Sequence, residues 1–275
     1  MSFDERLTRI QQRITTYHRL RRAETVLSDS ALAEAAMLWH AAQPADGDHL
    51  APEGNRRLAA AHHALGWLHF CRHDALPADR NLPELARAIV FLGALAQYLE
   101  AIPEPLRVVL GVSAEASAQA DLATRMLSHA ETTTDPVLIH ASISLLTAAL
   151  AATPAGHHPD QARFLSNLGN AYQARFEHGG AIADLDRAIE AGKQAVATTS
   201  DDSPTRAGRL SNLGIAYWVR FEHGGAIADL DRAIEAARQA VATTTDGHLN
   251  RARFLCGLGN GYRARFEHGG VVADL

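Results

Sequence analysis

The sequence predicts an all-α fold built from a helical repeat, and three observations predict it. Leu-Gly recurs at Leu168, Leu213 and Leu258, a step of 45 residues each time. Phe-Glu-His-Gly-Gly begins at Phe176, Phe221 and Phe266, at the same step. Residues 162–200 and 207–245 differ at only eight of 39 positions, far beyond chance. A fixed period of this length marks an architecture in which each unit is one supersecondary element stacked on its neighbour.

Each unit reads as two helices. The first runs from about Pro159 to His178, with Phe164, Leu165, Leu168, Tyr172 and Phe176 at helical spacing. Pro159 and Pro204 suit a first helical turn, where a missing N–H costs nothing. Gly179-Gly180 supplies the left-handed backbone that ends a helix. The second helix, from Ala181 to about Thr198, presents Leu185, Ala188, Ile189 and Val196 inward. Small residues at Gly169, Ala181 and Ala188 allow close helix crossing, and the polar stretch 198–203 resets the register. Asp184, Asp186 and Glu190 recur between copies and are expected to pair with Arg187 or, across helices, with Arg175.

Leu-Gly-x-x-Tyr followed by Ala181, Leu185 and Ala188 resembles the tetratricopeptide (TPR) signature. The resemblance implies a right-handed superhelix, an α-solenoid of antiparallel helix pairs. It also implies a non-catalytic scaffold that binds a protein or peptide in its concave groove. The long unit and its wording, Arg-Phe-Glu-x-x-Gly followed by Ala-Asp-Leu-Asp-Arg-Ala-Ile-Glu, are similar to the TPR arrays of actinobacterial proteins that often end in a CHAT (caspase-like) peptidase domain. Leu65-Gly66-Trp67-Leu68-His69, Leu85 to Ile89 and Pro103 to Arg107 resemble the degenerate upstream part of such arrays. A second reading follows: the sensor part of a CHAT-type peptidase whose catalytic domain is absent from this chain.

Upstream, helices are expected from Phe3 to about Ala23 and, after a Ser28-Asp29-Ser30 cap, from Ser30 to about Ala42. Residues 43–53, rich in Pro, Asp and Gly, read as a loop. Helices follow over about 54–74, 81–102, 113–131 and 135–152, the last a worn second helix with Leu138 at the place of Leu185. The expected organisation is N-terminal helices over 1–48, degenerate repeats over 49–153 and regular repeats over 154–275, in one continuous solenoid.

The net charge of −5 argues against nucleic acid, which asks for a basic surplus. Of the 26 basic residues, Lys193 is the one lysine. Two cysteines, Cys71 and Cys256, give no disulfide framework and fit a reducing cytoplasm. The first 22 residues carry charge throughout, unlike a signal peptide. No run of about 18 apolar residues spans a membrane.

Candidate chemistry is sparse. His62, His69 and His73 share one helical face and open a third reading, an enzyme or a metal site. His69, however, stands where Tyr172 and Tyr217 stand, a packed position. His178, His223 and His268 repeat, but helix spacing keeps equivalent residues too far apart for one ion, so they read as turn residues. Cys71 lies between His69 and His73, which point away from it on a helix. Cys256 replaces Ser166 and Ser211 in the repeat. Arg6, Arg9 and Arg13 lie on one face without interleaved aromatics and read as a solvated face. No phosphate loop or paired-carboxylate site emerges, so no cofactor is expected.

Five of the eight differences between the best copies lie on the first helix: 163/208, 164/209, 170/215, 173/218 and 174/219. The TPR resemblance places all but 164/209 in the groove, while Asp184, Asp186, Arg187 and Glu190, expected to be largely exposed, do not vary. The candidate protein-binding groove is Arg163, Asn170, Gln173, Ala174, Ile215, Trp218, Val219, Arg253, Asn260 and Arg263, with Trp218 as anchor. Leu275 corresponds to Leu185 and Leu230, so the third unit stops within its second helix. The stripe Leu258, Tyr262 and Phe266 is then partly uncovered, which predicts a natural chain that continues or self-association through this edge.

Overall fold

The computed structural model describes residues 1–43, 52–110, 115–154 and 160–269. Among these, every regular element is helical and no strand forms. The expectations for the loop over 43–53, the helix start at 113, Pro159 and the chain end after 269 fall largely or wholly outside the described residues. The chain divides into two compact units, Met1–Leu145 and Leu146–Leu275.

The first unit opens with α1 (Phe3–Leu20), which Ser2 and Glu5 start by a reciprocal capping box. Arg21, left-handed at φ 52°, ends it, and a short helix α2 (Glu24–Leu27) that periodicity could not reveal follows. In α3 (Asp29–Ala42) Ser28 holds the N-cap position without capping, because its hydroxyl accepts from Arg13 at 3.3 Å. Arg13 also pairs with Glu34 at 2.7 Å and donates to the Thr25 carbonyl. That corrects the expected solvated face: Arg13 stitches α1 to α2 and α3.

Next come α4 (Pro52–Ala75) and α5 (Leu82–Gly93), then a 3-10 turn at Leu99–Ala101 and α6 (Glu104–Leu110). The helix expected over 81–102 therefore stops at Gly93, and the Trp67 indole N–H donates to the carbonyl of Ala101 at 2.9 Å. The last helices here are α7 (Ala116–Thr133) and α8 (Pro136–Ala152), within which the unit boundary falls. Ile10, Leu38, Leu65 and Leu68 are fully buried where α1, α3 and α4 meet.

A charged cluster is buried beside this core. Arg72 of α4 donates to the Val26 carbonyl at 2.6 Å and lies 3.1 Å from Glu84 of α5. His69 Nδ1 donates to the same carboxylate at 2.6 Å. Burial by itself pushes the Glu84 carboxyl up, but the hydrogen bonds and charges of His69 and Arg72 outweigh it and hold it at about 2.

The second unit contains the regular repeat: α9 (Gln161–Glu177) with α10 (Ala183–Ala197), α11 (Arg206–Gly224) with α12 (Ile227–Ala242), then α13 (Arg251–Gly269). Each helix packs on the next in sequence, and α9 also touches α11, the stacking expected of a TPR-like array. Gly179, at φ 92°, lets the chain leave α9. In the next copy Gly225, at φ 66°, does this while Gly224 remains helical. Two expectations shift: α10 begins at Ala183, leaving Ala181 exposed in the turn, and Pro204 lies just before α11. Leu168, Leu185, Ala188, Ile189, Leu213 and Tyr217 are buried as the pattern requires. A Cβ on Gly169 would sit 3.2 Å from the Ala188 carbonyl, so the glycine sets how closely α9 and α10 approach.

Candidate functional site

The polar residues that recur between copies are committed to the scaffold. Asp184 and Asp229 are only 3% and 6% exposed, which corrects the expectation that they face solvent. Arg175 holds Asp184 through both carboxylate oxygens, and Arg220 holds Asp229 likewise, at 2.9 and 2.6 Å. Hydrogen bonds from Arg175 lead the causes that lower the Asp184 carboxyl, outweighing desolvation. Arg220 reaches back to Asp186 of the preceding repeat at 2.6 Å, and Arg265 reaches Asp231 at 3.2 Å. The pattern is a ladder of arginines, each tying its own repeat to the one before. Arg187 adds a bond to Asp184 at 3.1 Å, and Glu190 accepts from Gln194 at 2.9 Å. Invariance at these four positions thus has a structural cause.

The histidines of the repeat stack in the same direction. His178, His223 and His268 each donate from Nδ1 to the carbonyl four residues earlier. His223 also stands edge-on to Phe176 of the preceding repeat, centroids 4.7 Å apart, and His268 to Phe221 at 5.2 Å. His178 caps α9 at the turn, as expected, whereas His223 and His268 lie in the last turn of α11 and α13 rather than in the turns, and these two also join adjacent copies.

The ten candidate groove residues are placed on α9, α11 and α13. Asn170, Arg253, Asn260 and Arg263 are exposed, and the other six are half-buried. Arg163 pairs with Asp160 at 3.3 Å, and Gln173 donates to Glu177 at 2.9 Å. Trp218 is more than a surface anchor, since it packs on the core around Leu213 and Tyr217 and on that around Phe221.

Four of the ten come together at one cavity of about 200 Å³ between α11, α12 and α13. It is lined by Ile215 and Trp218 of α11, Ala233, Ala237 and Ala240 of α12 and Phe254 of α13. Ser211, Arg253 and Asn260 bring its polar groups. The cavity also depends on Gly257 and Gly261, which sequence reasoning missed. Their counterparts one repeat earlier are Asn212 and Ala216. There Asn212 donates to Ser166 at 3.3 Å and bridges α11 to α9, whereas Gly257 has no side chain with which to bridge α13 to α11. Aligning the third copy with the second carries this signal.

The metal and nucleophile candidates are engaged elsewhere. His62, His69 and His73 do share a face of α4, but each serves a separate bond: to the Phe91 carbonyl, to Glu84 and to the Asn81 carbonyl. Among the described residues no group of three His, Cys, Asp or Glu could hold a metal ion. Cys71 is buried, and its nearest imidazole belongs to His18, with Nε2 3.5 Å from the sulfur, rather than to its neighbours in sequence. Burial, with the nearby charge of Asp74, pushes the Cys71 thiol up to about 12, far from a reactive thiolate. Cys256 is exposed on α13. No described helix is long and apolar enough to cross a membrane.

Comparison with known proteins meets this geometry at the repeat itself. Residues 162–204 and 206–248 each match the family model described as tetratricopeptide repeat, segments that take in α9–α10 and α11–α12. No curated protein and no solved structure matches the chain.

Proposed function

We propose, taking the two tetratricopeptide repeats as premise, that this protein is a non-catalytic scaffold that binds a protein or peptide partner. The binding surface is the face of α9, α11 and α13 that carries Asn170, Gln173, Ile215, Trp218, Asn260 and Arg263. The observation that carries this reading is a division of labour within the repeat. Polar positions that stay constant are spent on internal ion pairs and helix ends, while positions 170/215/260 and 173/218/263 vary and are exposed or half-buried. A surface that reads a different part of a ligand with each repeat has this character, with a half-buried aromatic at its centre.

Trp218→Ala is expected to weaken the partner by about 1–2 kcal/mol, or roughly 5–30-fold. Because Trp218 also packs against the core, the affinity is measured at a temperature where the variant's circular dichroism shows it folded. Gln173→Ala, which removes only an exposed hydrogen bond to Glu177 on α9, serves as a second variant. Titration calorimetry that finds both variants equal to the wild type rejects the groove.

A further inference from the structure

We propose that the cavity between α11, α12 and α13 is a socket for one leucine- or phenylalanine-sized side chain of an acidic peptide. The proposal deepens the groove reading and rests on it. A cavity of about 200 Å³ is smaller than the pockets that hold drug-sized molecules. It is close to the size of apolar cavities that hold a single aromatic ring. Its lining is mostly aliphatic and aromatic, with Ile215, Trp218, Phe254 and three alanines, and with Ser211 as a small polar member. Such a space gains more from an apolar side chain than from water, which needs two to four polar partners.

The charge at its rim selects the flanking residues. Arg253 occupies the repeat position of Arg163, which is neutralised by Asp160 three residues before it. In the third copy that acid is replaced by Asn250, and Arg253 has no ion pair among the described residues. An exposed guanidinium beside an apolar cavity suits a carboxylate next to the inserted side chain, with Asn260 two turns on as a further hydrogen-bonding group. The sequence differences point the same way: Asn212 to Gly257 removes the side chain that bridges the preceding junction, and Asp160 to Asn250 releases the arginine. Gly261 lets α13 close on α12, since a Cβ there would fall 2.7 Å from Ile234 Cγ1.

The test fills the socket with the protein's own solution from the neighbouring repeat. A side chain added at Gly257 meets nothing within 4 Å, so Gly257→Asn is expected to fold at least as well as the wild type, asparagine being the better helix former. The chain has three tryptophans, so the indole N–H of Trp218 is a resolvable NMR signal, assigned with Trp218→Phe. The probe is a capped pentapeptide with one leucine between pairs of glutamates. It is expected to move the Trp218 signal saturably. Binding is expected to weaken at least tenfold when alanine replaces the leucine, when lysines replace the glutamates, and in Gly257→Asn. Arg253→Gln is expected to erase the preference for glutamate over lysine. No shift of Trp218 with the leucine peptide, or equal affinity in Gly257→Asn, overturns the socket. Equal affinity for the lysine peptide overturns its acidic selectivity. Failure of the groove reading is distinguishable, because Gln173 lies outside the cavity and is tested against the natural partner.

Discussion

Glu84→Ala is expected to destabilise the protein by about 3–5 kcal/mol, the cost of breaking a buried ion pair from one side. The variant leaves the Arg72 guanidinium, with a side chain only 8% exposed, facing a void instead of a carboxylate. It also removes the acceptor of His69. The effect carries a pH signature. The carboxyl sits at about 2 in the folded protein and near 4.5 in the unfolded chain. A folded value below the unfolded one gives stability that is complete above about pH 4.5 and lost as pH falls towards 2. The shift corresponds to roughly 3 kcal/mol. Denaturant melts of wild type and variant should therefore converge as pH drops from 5 to 2. A constant difference across that range would mean that lost packing, rather than charge, sets the effect.

Leu213→Ala is expected to cost about 2–5 kcal/mol, as truncation of a core leucine does. Leu213 is 8% exposed and packs against Ala188, Ile189 and Tyr217, where two repeats meet. Its side chain also lies against Gly192, where an added Cβ would come within 3.0 Å of Leu213 Cδ1. The truncation thus opens a space at the junction and weakens stacking between copies as well as one helix pair. Chemical melts followed by circular dichroism measure the loss. A change below about 0.5 kcal/mol, the range of ordinary surface substitutions, would place the core elsewhere.

The repeat was legible because each copy states the same pattern twice or more, and because glycines mark the helix ends. Leu168, Leu185, Ala188 and Leu213 are buried as their spacing requires. Other features were hidden for physical reasons. The pairing of Asp184 with Arg175 and Arg187 was among those expected, but its burial was not, because a carboxylate is rarely buried unless paired and the depth depends on the turn geometry between the helices. Arg13 reads as one more basic residue on α1, although its partners Thr25, Ser28 and Glu34 belong to later segments. Helix α2, four residues long, is too short to show a period. His18, the imidazole nearest Cys71, is 53 residues away in sequence. The cavity was half legible: Ile215, Trp218, Arg253 and Asn260 stood out as groove residues, while Gly257 and Gly261 act by what they lack.

The central claim is that partners dock on the first helices of the repeats. Its most direct measurement places a photo-activatable benzoylphenylalanine at Gln173 of α9 and, separately, at Lys193 of α10, and illuminates each in cells of the native host. Gln173 is half-buried on the proposed face, and Lys193 is exposed on the second helix of the same pair. A discrete cross-linked partner is expected from position 173 and none from position 193. The same partner captured equally from both positions, or from position 193 alone, would contradict it.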